Sequence, residues 1–282
     1  MQVIWQNQLM EASQVKIHMG DRGYQFGDGL YEVIRIYKGR LFMAEEHFDR
    51  LTQGAKKIKL KLPYDVQTMT ETIYQLIQAE QVDEGYVYIQ ISRGTQVPRS
   101  HAIPKPEDSQ PVWTSQVYAY ERDHKLQKEG MSAALVPDQR WQHCDIKSLS
   151  LLGNILSLEE AKDKGAEDAL LYRNGVFTEA SASNLWFVKD NRIYTHPDGP
   201  FILAGVTKIA LRRIIETCGY ELVEEAYPVD RVMEADEIFL SNSVWEIVPV
   251  NSVDGQEVKN PVPGPITTAL QLAYQQLVED QA

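Results

Sequence analysis

The sequence has few of the features that stabilise secreted or membrane-bound chains. Only two cysteines, Cys144 and Cys218, occur among 282 residues, too few for a disulfide framework and consistent with a reducing compartment. No apolar run approaches the roughly 20 residues of a membrane helix, and residues 1–7 carry neither a basic leader nor an apolar signal core. We therefore expect a cytoplasmic protein that is neither secreted nor inserted into a membrane.

Positive charge is also scarce. The chain has 28 Lys and Arg against 40 Asp and Glu, a net charge of −12, so nucleic acid and anionic membranes are not expected partners. Hydrophobic residues make up 43% and charged residues 24%, close to the average of globular proteins. At about 150 residues per domain, the length predicts two domains or one large α/β unit. Small molecules are the expected partners.

The pattern of apolar residues predicts helices mixed with strands. Helices are expected where apolar residues recur every three or four positions, and strands where they alternate or cluster with β-branched residues. The predicted helices are 45–57, 66–81, 149–164, 207–218 and 266–279. The predicted strands are 15–19, 30–37, 86–92, 131–137, 168–173, 184–188 and 237–241. Strands interrupted by single helices predict a mixed α/β (α+β) fold and not a regular parallel array.

Loop composition suggests where the domains divide. Residues 95–111 are polar and contain several prolines, which predicts a loop, and residues 120–125 are the predicted interdomain linker. The sequence therefore predicts a small N-terminal α/β domain over residues 1–120 and a larger C-terminal domain over residues 121–282.

Three other features have simple structural interpretations. In residues 58–62 lysines alternate with aliphatic residues, which predicts a strand with one solvated face. His143 and Cys144 have no CxxC or HxxxH motif beside them, so no metal site is expected. The glycines of residues 20–29 do not match GxGxxG, and we expect them to form turns and not a dinucleotide site.

A lysine, a carboxylate and a helix end together suggest a phosphate-bearing aldehyde cofactor. Lys147 lies among aliphatic residues, where a desolvated amine can act as a nucleophile. Glu179 lies in a stretch of small residues that would give it little steric cover. Gly205-Val206-Thr207 opens an amphipathic helix, whose N–H groups can bind a phosphate. Taken singly, each feature is more simply a surface lysine, a surface or capping acid, and a hydrated helix end.

The order of four motifs resembles that of fold-type IV pyridoxal-phosphate enzymes, and the match spans nearly the whole chain. The motifs are Asp21-Arg22-Gly23-Tyr24-Gln25-Phe26-Gly27-Asp28-Gly29, Cys144-Asp145-Ile146-Lys147-Ser148, Thr178-Glu179 followed by Ser183-Asn184, and Leu203-Ala204-Gly205-Val206-Thr207. Within this family, Tyr31-Glu32-Val33 and the Arg99-Ser100-His101 loop are most similar to bacterial D-amino-acid aminotransferases.

The resemblance implies a homodimer in which each chain holds pyridoxal 5'-phosphate between its two domains. It implies that Lys147 binds the cofactor covalently and shuttles a proton between the substrate Cα and the cofactor C4′, and that Glu179 pairs with the ring nitrogen. The remaining implied cofactor ligands are Arg50, Leu203, Val206, Thr207 and Ser243, with Leu203 packed on the ring and the others at the phosphate. The implied ligands of the substrate α-carboxylate are Tyr31, and Arg99 and His101 from the neighbouring subunit.

The implied activity is transamination between a D-amino acid, with D-alanine expected, and 2-oxoglutarate, giving pyruvate and D-glutamate. Three residues depart from the family pattern: Lys208 replaces an Arg, Ala182 replaces a Ser, and Asn242 lies in a run reminiscent of aminodeoxychorismate lyases. The alternatives left open are an aminodeoxychorismate lyase, an L-branched-chain aminotransferase on the same fold, and a cofactor-binding module without catalytic activity.

Overall fold

The computed structural model describes residues 1–281, which form two compact units. The first unit comprises Met1–Glu121 and Ile146–Ser150, and the second comprises Arg122–Asp145 and Leu151–Gln281. The short segment 146–150, which carries Lys147, lies with the first unit, although the sequence prediction assigned it to the C-terminal domain.

The first unit is an antiparallel sheet with helices. Its strands are β1 (Gln2–Trp5), β2 (Gln8–Glu11), β3 (Gly29–Tyr37), β4 (Arg40–Leu41), β5 (Gly85–Ser92) and β6 (Val112–Ala119). Its helices are α1 (Arg22–Phe26), α2 (Ala44–Lys57) and α3 (Val66–Glu80), with short 3-10 turns at Ala12–Gln14 and Pro106–Asp108. The strand order is β2-β1-β6-β5-β3-β4, and every pair in it is antiparallel.

The core of the first unit lies between one sheet face and helices α2 and α3. Phe48 and Leu51 of α2 and Ile73 of α3 are buried in one apolar cluster with Ile34 and other strand residues. Because side chains alternate along a strand, the face of β3 opposite this core is left for other contacts. This alternation places Tyr31 and Glu32 on opposite faces of the sheet.

The second unit is a mixed sheet with four helices in its described residues. The helices are α4 (His124–Glu129), α5 (Leu152–Asp163), α6 (Val206–Thr217) and α7 (Pro265–Gln281). The strands are β7 (Met131–Pro137), β8 (Asp168–Arg173), β9 (Val176–Ala180), β10 (Asn184–Lys189), β11 (Arg192–Thr195), β12 (Glu221–Val223), β13 (Glu237–Asn242), β14 (Glu246–Val253) and β15 (Gln256–Glu257). The strand order is β12-β11-β10-β13-β14-β7-β8-β9, and β15 pairs with β14.

Both strand directions occur in this second sheet. The pairs β11–β12, β14–β7 and β7–β8 are parallel, and the other pairs are antiparallel. Aromatic packing fills part of its core, since Trp186 stacks on Phe239 at 5.6 Å and Phe187 stacks on Tyr227 at 4.4 Å between ring centroids. The predicted mixed α/β fold is confirmed.

Several predicted elements are wrong, and each has a local physical cause. Residues 15–19 form no strand and have largely exposed side chains, so their alternation has no sheet to pair with. Residues 58–62 form no strand because Lys59 has φ +53° and the Leu60 N–H donates to the Ala55 carbonyl, which closes the end of α2. The predicted linker 120–125 is also shorter than expected, since α4 begins at His124.

The described residues have neither a candidate membrane span nor a cluster of metal ligands. No helix over residues 1–281 combines the length and the apolar character needed to cross a bilayer. No group of three or more His, Cys, Asp and Glu side chains in the same range could hold a metal ion.

Candidate active site

Lys147 is held against the edge of the sheet by backbone hydrogen bonds. The Tyr31 N–H donates to the Lys147 carbonyl at 3.1 Å, and the Leu149 N–H donates to the Gly29 carbonyl at 3.1 Å. A Cβ on Gly29 would lie 2.4 Å from the Ile91 carbonyl oxygen and 2.8 Å from Leu149, so only glycine allows this approach. The lysine backbone is therefore fixed relative to β3.

The Lys147 amine lies over the ring of Tyr31. Its Nζ is 4.1 Å from the ring centroid, a distance at which an ammonium is attracted by the aromatic face. The Tyr31 ring is 5.8 Å from that of Tyr88, whose hydroxyl donates to Gln90 Oε1 at 2.8 Å. Burial, with smaller contributions from Tyr31 and Tyr118, raises the pKa of Tyr88 to about 12, so this hydroxyl remains a donor at neutral pH.

Arg50 is held by a buried carboxylate from the neighbouring strand. Its Nε and Nη2 donate to the two carboxylate oxygens of Glu32, each at 2.8 Å, in a bidentate pair that fixes the guanidinium plane. His47 Nδ1 lies 2.8 Å from the same carboxylate. Burial alone would raise the pKa of Glu32, but the charge of Arg50 and the hydrogen bonds of Arg50 and His47 lower it well below the usual range.

The pKa of His47 is lowered from its usual value, which favours the neutral imidazole. Burial lowers its pKa, the Glu32 contacts oppose this, and the positive charges of Arg50 and Lys147 lower it further. A neutral imidazole beside an ionised carboxylate carries its proton on Nδ1 and donates it to Glu32. Glu32 and Arg50 therefore form a nearly neutral pair, and its two hydrogen bonds hold the guanidinium in one orientation.

Arg99 and His101 lie together in the loop between β5 and β6. Both side chains are exposed to solvent in the single chain. The Arg99 guanidinium carbon is 4.2 Å from the centroid of the Phe26 ring, and the His101 ring is 5.4 Å from the same ring. The first unit therefore brings Lys147 together with Tyr31, and Arg99 together with His101. Among residues 1–281 no hydrogen bond or ring contact joins the two pairs.

In the second unit, Glu179 is a buried acid at the end of β9. It is only 5% exposed, which corrects the expectation that small neighbours would leave it uncovered. One carboxylate oxygen accepts a hydrogen bond from Arg140, and the other accepts from the Leu203 N–H at 3.0 Å and from Asn184 Nδ2 at 3.4 Å. Burial raises the pKa of Glu179, and the charge and hydrogen bonds of Arg140 oppose that rise.

Arg140 is shared between two carboxylates. Its Nε and Nη2 each donate to Asp138 at 2.9 Å, while Nη1 binds Glu179. Asp138 also accepts from Thr178 Oγ1 at 2.9 Å and pairs with Arg173 at 3.3 Å. Sequence reasoning missed Arg140 and Asp138; a charged pair directly after the buried strand β7 was the available signal.

The start of α6 lies beside Glu179. Asn184 Nδ2 donates to the Leu203 carbonyl at 2.8 Å, and a Cβ on Gly205 would lie 2.0 Å from Asn184 Oδ1, so glycine is required at that point. No side chain caps this helix, and Val206 and Thr207 in its first turn are buried. Backbone N–H groups at an uncapped helix start are suited to an anion.

Two of the three residues that depart from the family pattern, Lys208 and Asn242, have side chains that are hydrogen-bonded within the second unit. The Lys208 side chain is buried and donates to the His196 carbonyl at 2.6 Å and to Asp198 at 3.0 Å, so its ammonium is paired with an acid. Asn242 donates to Ser183 Oγ at 2.8 Å and accepts from the N–H groups of Val244 and Trp245 at 2.9 and 2.8 Å. Ser243 lies in this turn between β13 and β14, and Ala182 is exposed.

These residues fit the group that the sequence analysis expected. The first unit supplies an amine at Lys147 and a guanidinium oriented by Glu32. The second unit supplies a buried acid and an uncapped helix N-terminus, joined through Asn184 and Leu203. An amine, an acid and anion-binding groups are the donor set that pyridoxal phosphate needs.

Comparison with known proteins gives three findings. Residues 29–253 match the family described as amino-transferase class IV. The chain is 39% identical over 280 residues to the D-alanine aminotransferase of Listeria monocytogenes, covering 99% of this chain and 96% of that protein. Solved structures of other aminotransferases share the fold. The branched-chain amino acid aminotransferase of Escherichia coli has a TM-score of 0.91 at 23% identity, over 98% of this chain and 94% of that chain. A hypothetical aminotransferase from Mycobacterium tuberculosis, solved in its PLP-bound form, has a TM-score of 0.83 at 24% identity, over 99% of this chain and 100% of that chain.

Proposed function

Because the chain belongs to the class IV aminotransferase family, we propose that it transfers an amino group between D-alanine and 2-oxoglutarate, giving pyruvate and D-glutamate. The observation that carries this proposal is the 39% identity to a D-alanine aminotransferase over 99% of the chain. The reaction is a ping-pong exchange, in which the amino acid leaves as a keto acid before the acceptor keto acid binds.

Pyridoxal phosphate supplies an aldehyde that takes the substrate nitrogen and a ring that accepts the electrons of the breaking Cα–H bond. Lys147 would hold the cofactor covalently between turnovers, and its amine would move the proton between the substrate Cα and the cofactor C4′. The support for this role is the fixed backbone of Lys147 and the position of its amine over Tyr31.

Glu179 would pair with the ring nitrogen and keep it protonated, and Leu203 would pack on the ring. The neighbours of Glu179 support its role, because the Leu203 N–H and Asn184 hold one of its carboxylate oxygens in place. We further propose that the cofactor phosphate is bound by Arg50, Val206, Thr207 and Ser243. The bidentate Glu32 pair orients Arg50, and the uncapped start of α6 offers N–H groups.

Tyr31, Arg99 and His101 bind the substrate α-carboxylate, with Arg99 and His101 supplied by a second copy of the chain. An Arg side chain offers a planar fork to a carboxylate, and Tyr and His add donors. Fixing the carboxylate determines which face of Cα meets Lys147, so handedness follows from the side on which these residues lie.

A homodimer is therefore part of the proposal. Leu152, Ile155 and Leu156 on one side of α5 are 67%, 55% and 60% exposed, a spacing that forms an apolar face suited to burial against another copy. We propose a cytoplasmic homodimer of chains that divide near residue 120, with the cofactor held between the two domains.

The three alternatives are less well supported. Asn242, which motivated the aminodeoxychorismate lyase, is bonded to Ser183 and to its own turn, so a structural role accounts for it. The branched-chain enzyme shares the fold at 23% identity, but the Arg99-Ser100-His101 loop suits the carboxylate site of D-specific enzymes. A module without catalytic activity would not need both Lys147 and Glu179.

Replacing Lys147 tests the proposal directly. We expect Lys147→Ala to abolish multiple-turnover transamination of D-alanine and to remove the absorbance band of the protein-bound cofactor. The matched control is Lys105→Ala, at an exposed lysine of the loop, which should change neither measurement. Sustained turnover by Lys147→Ala would contradict the assignment of the lysine.

A further inference from the structure

The loop that carries Arg99 and His101 is tied to the side chain of Arg22. Arg22 is the first residue of α1 and is 4% exposed. Its Nη1 donates to the Ser100 carbonyl at 2.6 Å, to the Ala102 carbonyl at 3.2 Å and to Gln96 Oε1 at 2.5 Å. The two carbonyls flank His101 in sequence, and that of Ser100 directly follows Arg99. One buried guanidinium therefore fixes the backbone at both proposed carboxylate ligands.

The Phe26 ring provides a second attachment, at the side chains themselves. The guanidinium carbons of Arg22 and Arg99 are 4.9 and 4.2 Å from its centroid, and the His101 ring is 5.4 Å away. Arginine stacks favourably on an aromatic face. Phe26 thus restricts Arg99 and His101, which are otherwise exposed to solvent.

Arg22 is itself oriented by Asp28. Arg22 Nε donates to Asp28 Oδ2 at 2.7 Å, and Arg93 Nε donates to the same oxygen at 2.8 Å. Arg93 also donates to the carbonyls of Ile58 and Lys59 at the end of α2. Burial would raise the pKa of Asp28, but hydrogen bonds and charge from the two arginines lower it, so the carboxylate stays ionised.

We propose that Arg22 and Phe26 are positioning residues that set the substrate specificity of the enzyme for α-carboxylates. They hold Arg99 and His101 in the conformation that receives the carboxylate. A free loop would have to be ordered each time a substrate binds, and that cost would weaken binding. The inference rests on the proposed function, because it takes Arg99 and His101 as the carboxylate ligands.

The expected signature is a change in substrate binding without a change at the cofactor. In Arg22→Lys, an ammonium keeps the charge beside Asp28 but lacks the planar fork that spans Asp28 and the loop carbonyls. In Phe26→Leu, the apolar volume is largely kept and the aromatic face is lost. For both variants we expect the KM for D-alanine to rise roughly 10- to 100-fold, with kcat changed less than about threefold.

Two further measurements separate positioning from general damage. The dissociation constant of pyridoxal phosphate from the apoprotein should stay within about twofold, because neither residue is assigned to the cofactor. The single-turnover rate with ethylamine, which is D-alanine without its carboxylate, should match that of the unmodified holoenzyme. Arg192→Lys, at an exposed pair with Glu221, is the control and should leave all values unchanged.

A double-mutant cycle of Arg22→Lys with Arg99→Ala decides whether Arg22 acts through the loop. If it does, Arg22→Lys should have little further effect on KM once Arg99 is absent. Additive effects, or equal losses with D-alanine and ethylamine, would overturn the role of Arg22 while leaving the carboxylate site intact. An unchanged KM in Arg99→Ala would overturn both the assignment of Arg99 to the substrate carboxylate and the positioning role of Arg22. If Arg22→Lys does not fold, Phe26→Leu in the same cycle gives the same decision.

Discussion

Each unit contains a buried carboxylate paired with an arginine, and the two arginines distribute their hydrogen bonds differently. In the first unit, Arg50 gives both Nε and Nη2 to Glu32, and His47 adds a third contact. In the second unit, Arg140 gives its bidentate contact to Asp138 and only one nitrogen to Glu179. The pKa of Glu32 is lowered, whereas that of Glu179 is raised.

The difference shows how one pair of residue types can perform two tasks. A carboxylate with its own arginine stays ionised, and its use is to hold that arginine in place. A buried carboxylate that shares its arginine with another acid has less compensating charge, so its pKa is raised and a protonated ring nitrogen can supply the missing positive partner. We therefore expect Glu179 to act on the reaction and Glu32 to act on the position of Arg50.

The largest expected effect is that of Glu179→Gln on turnover. The amide keeps the shape of the side chain but cannot balance a protonated ring nitrogen, so we expect kcat for D-alanine to fall about 10²- to 10³-fold. Steady-state kinetics at saturating cofactor measure this. If kcat falls by less than tenfold, Glu179 does not pair with the ring nitrogen during the reaction, and the contrast with Glu32 fails.

Glu32→Gln should instead affect stability and cofactor binding. Breaking the pair leaves the Arg50 charge without its counter-ion, at a cost of about 3 kcal/mol in the free energy of unfolding. Urea unfolding of the apoprotein measures that loss. The dissociation constant of pyridoxal phosphate should rise roughly tenfold, while kcat at saturating cofactor stays within about threefold. A large fall in kcat instead would erase the contrast with Glu179.

The two acids should change stability with pH in opposite directions. Because the pKa of Glu32 is lowered, its contribution is present above its unfolded value of 4.5 and is lost as pH falls below it. The pKa of Glu179 is raised above its unfolded value of 4.5, so below pH 4.5 the group is protonated in both states and does not change the stability. As pH rises from 4.5 through the raised value, the unfolded state ionises first and the folded state is destabilised. Urea unfolding of each Gln variant against the unmodified protein from pH 3 to pH 8 measures the sign. Slopes of equal sign would refute the comparison.

The smallest effect serves as a control for the second unit. Asn242→Ala removes hydrogen bonds to Ser183, Val244 and Trp245, and should cost about 1–2 kcal/mol of stability. Transaminase kcat should stay within about twofold, because Asn242 does not touch Arg140 or Glu179. If Asn242→Ala lost as much activity as Glu179→Gln, destabilisation of the second unit would explain the activity loss of both variants.

The sequence predicted the parts of the fold and site that depend on local pattern. Helices α2 and α3 follow from apolar spacing, and β8 was predicted at residues 168–173. Lys147 and Glu179 lie in short motifs that can be read without a structure. The short strands β1, β2 and β9 were missed because each has only four or five residues.

Long-range pairing explains most of what was not predicted. Arg140 meets Glu179 across 39 residues of sequence, and Glu32 meets Arg50 across 18, so no local pattern joins them. Helix α1 was missed because it has five residues and contains a glycine; Asp21 caps it by accepting from the N–H groups of Gly23 and Tyr24. Alternation at residues 15–19 predicted a strand although no partner strand exists there.

The most direct test of the proposed function is the visible spectrum of the holoenzyme without any keto acid. The account predicts that D-alanine alone converts the bound cofactor to pyridoxamine phosphate, with loss of the original absorbance band, and that L-leucine alone leaves the band unchanged. A response to L-leucine alone would instead assign the protein the activity of an L-branched-chain aminotransferase. A band that neither amino acid changes would contradict transamination of D-alanine altogether.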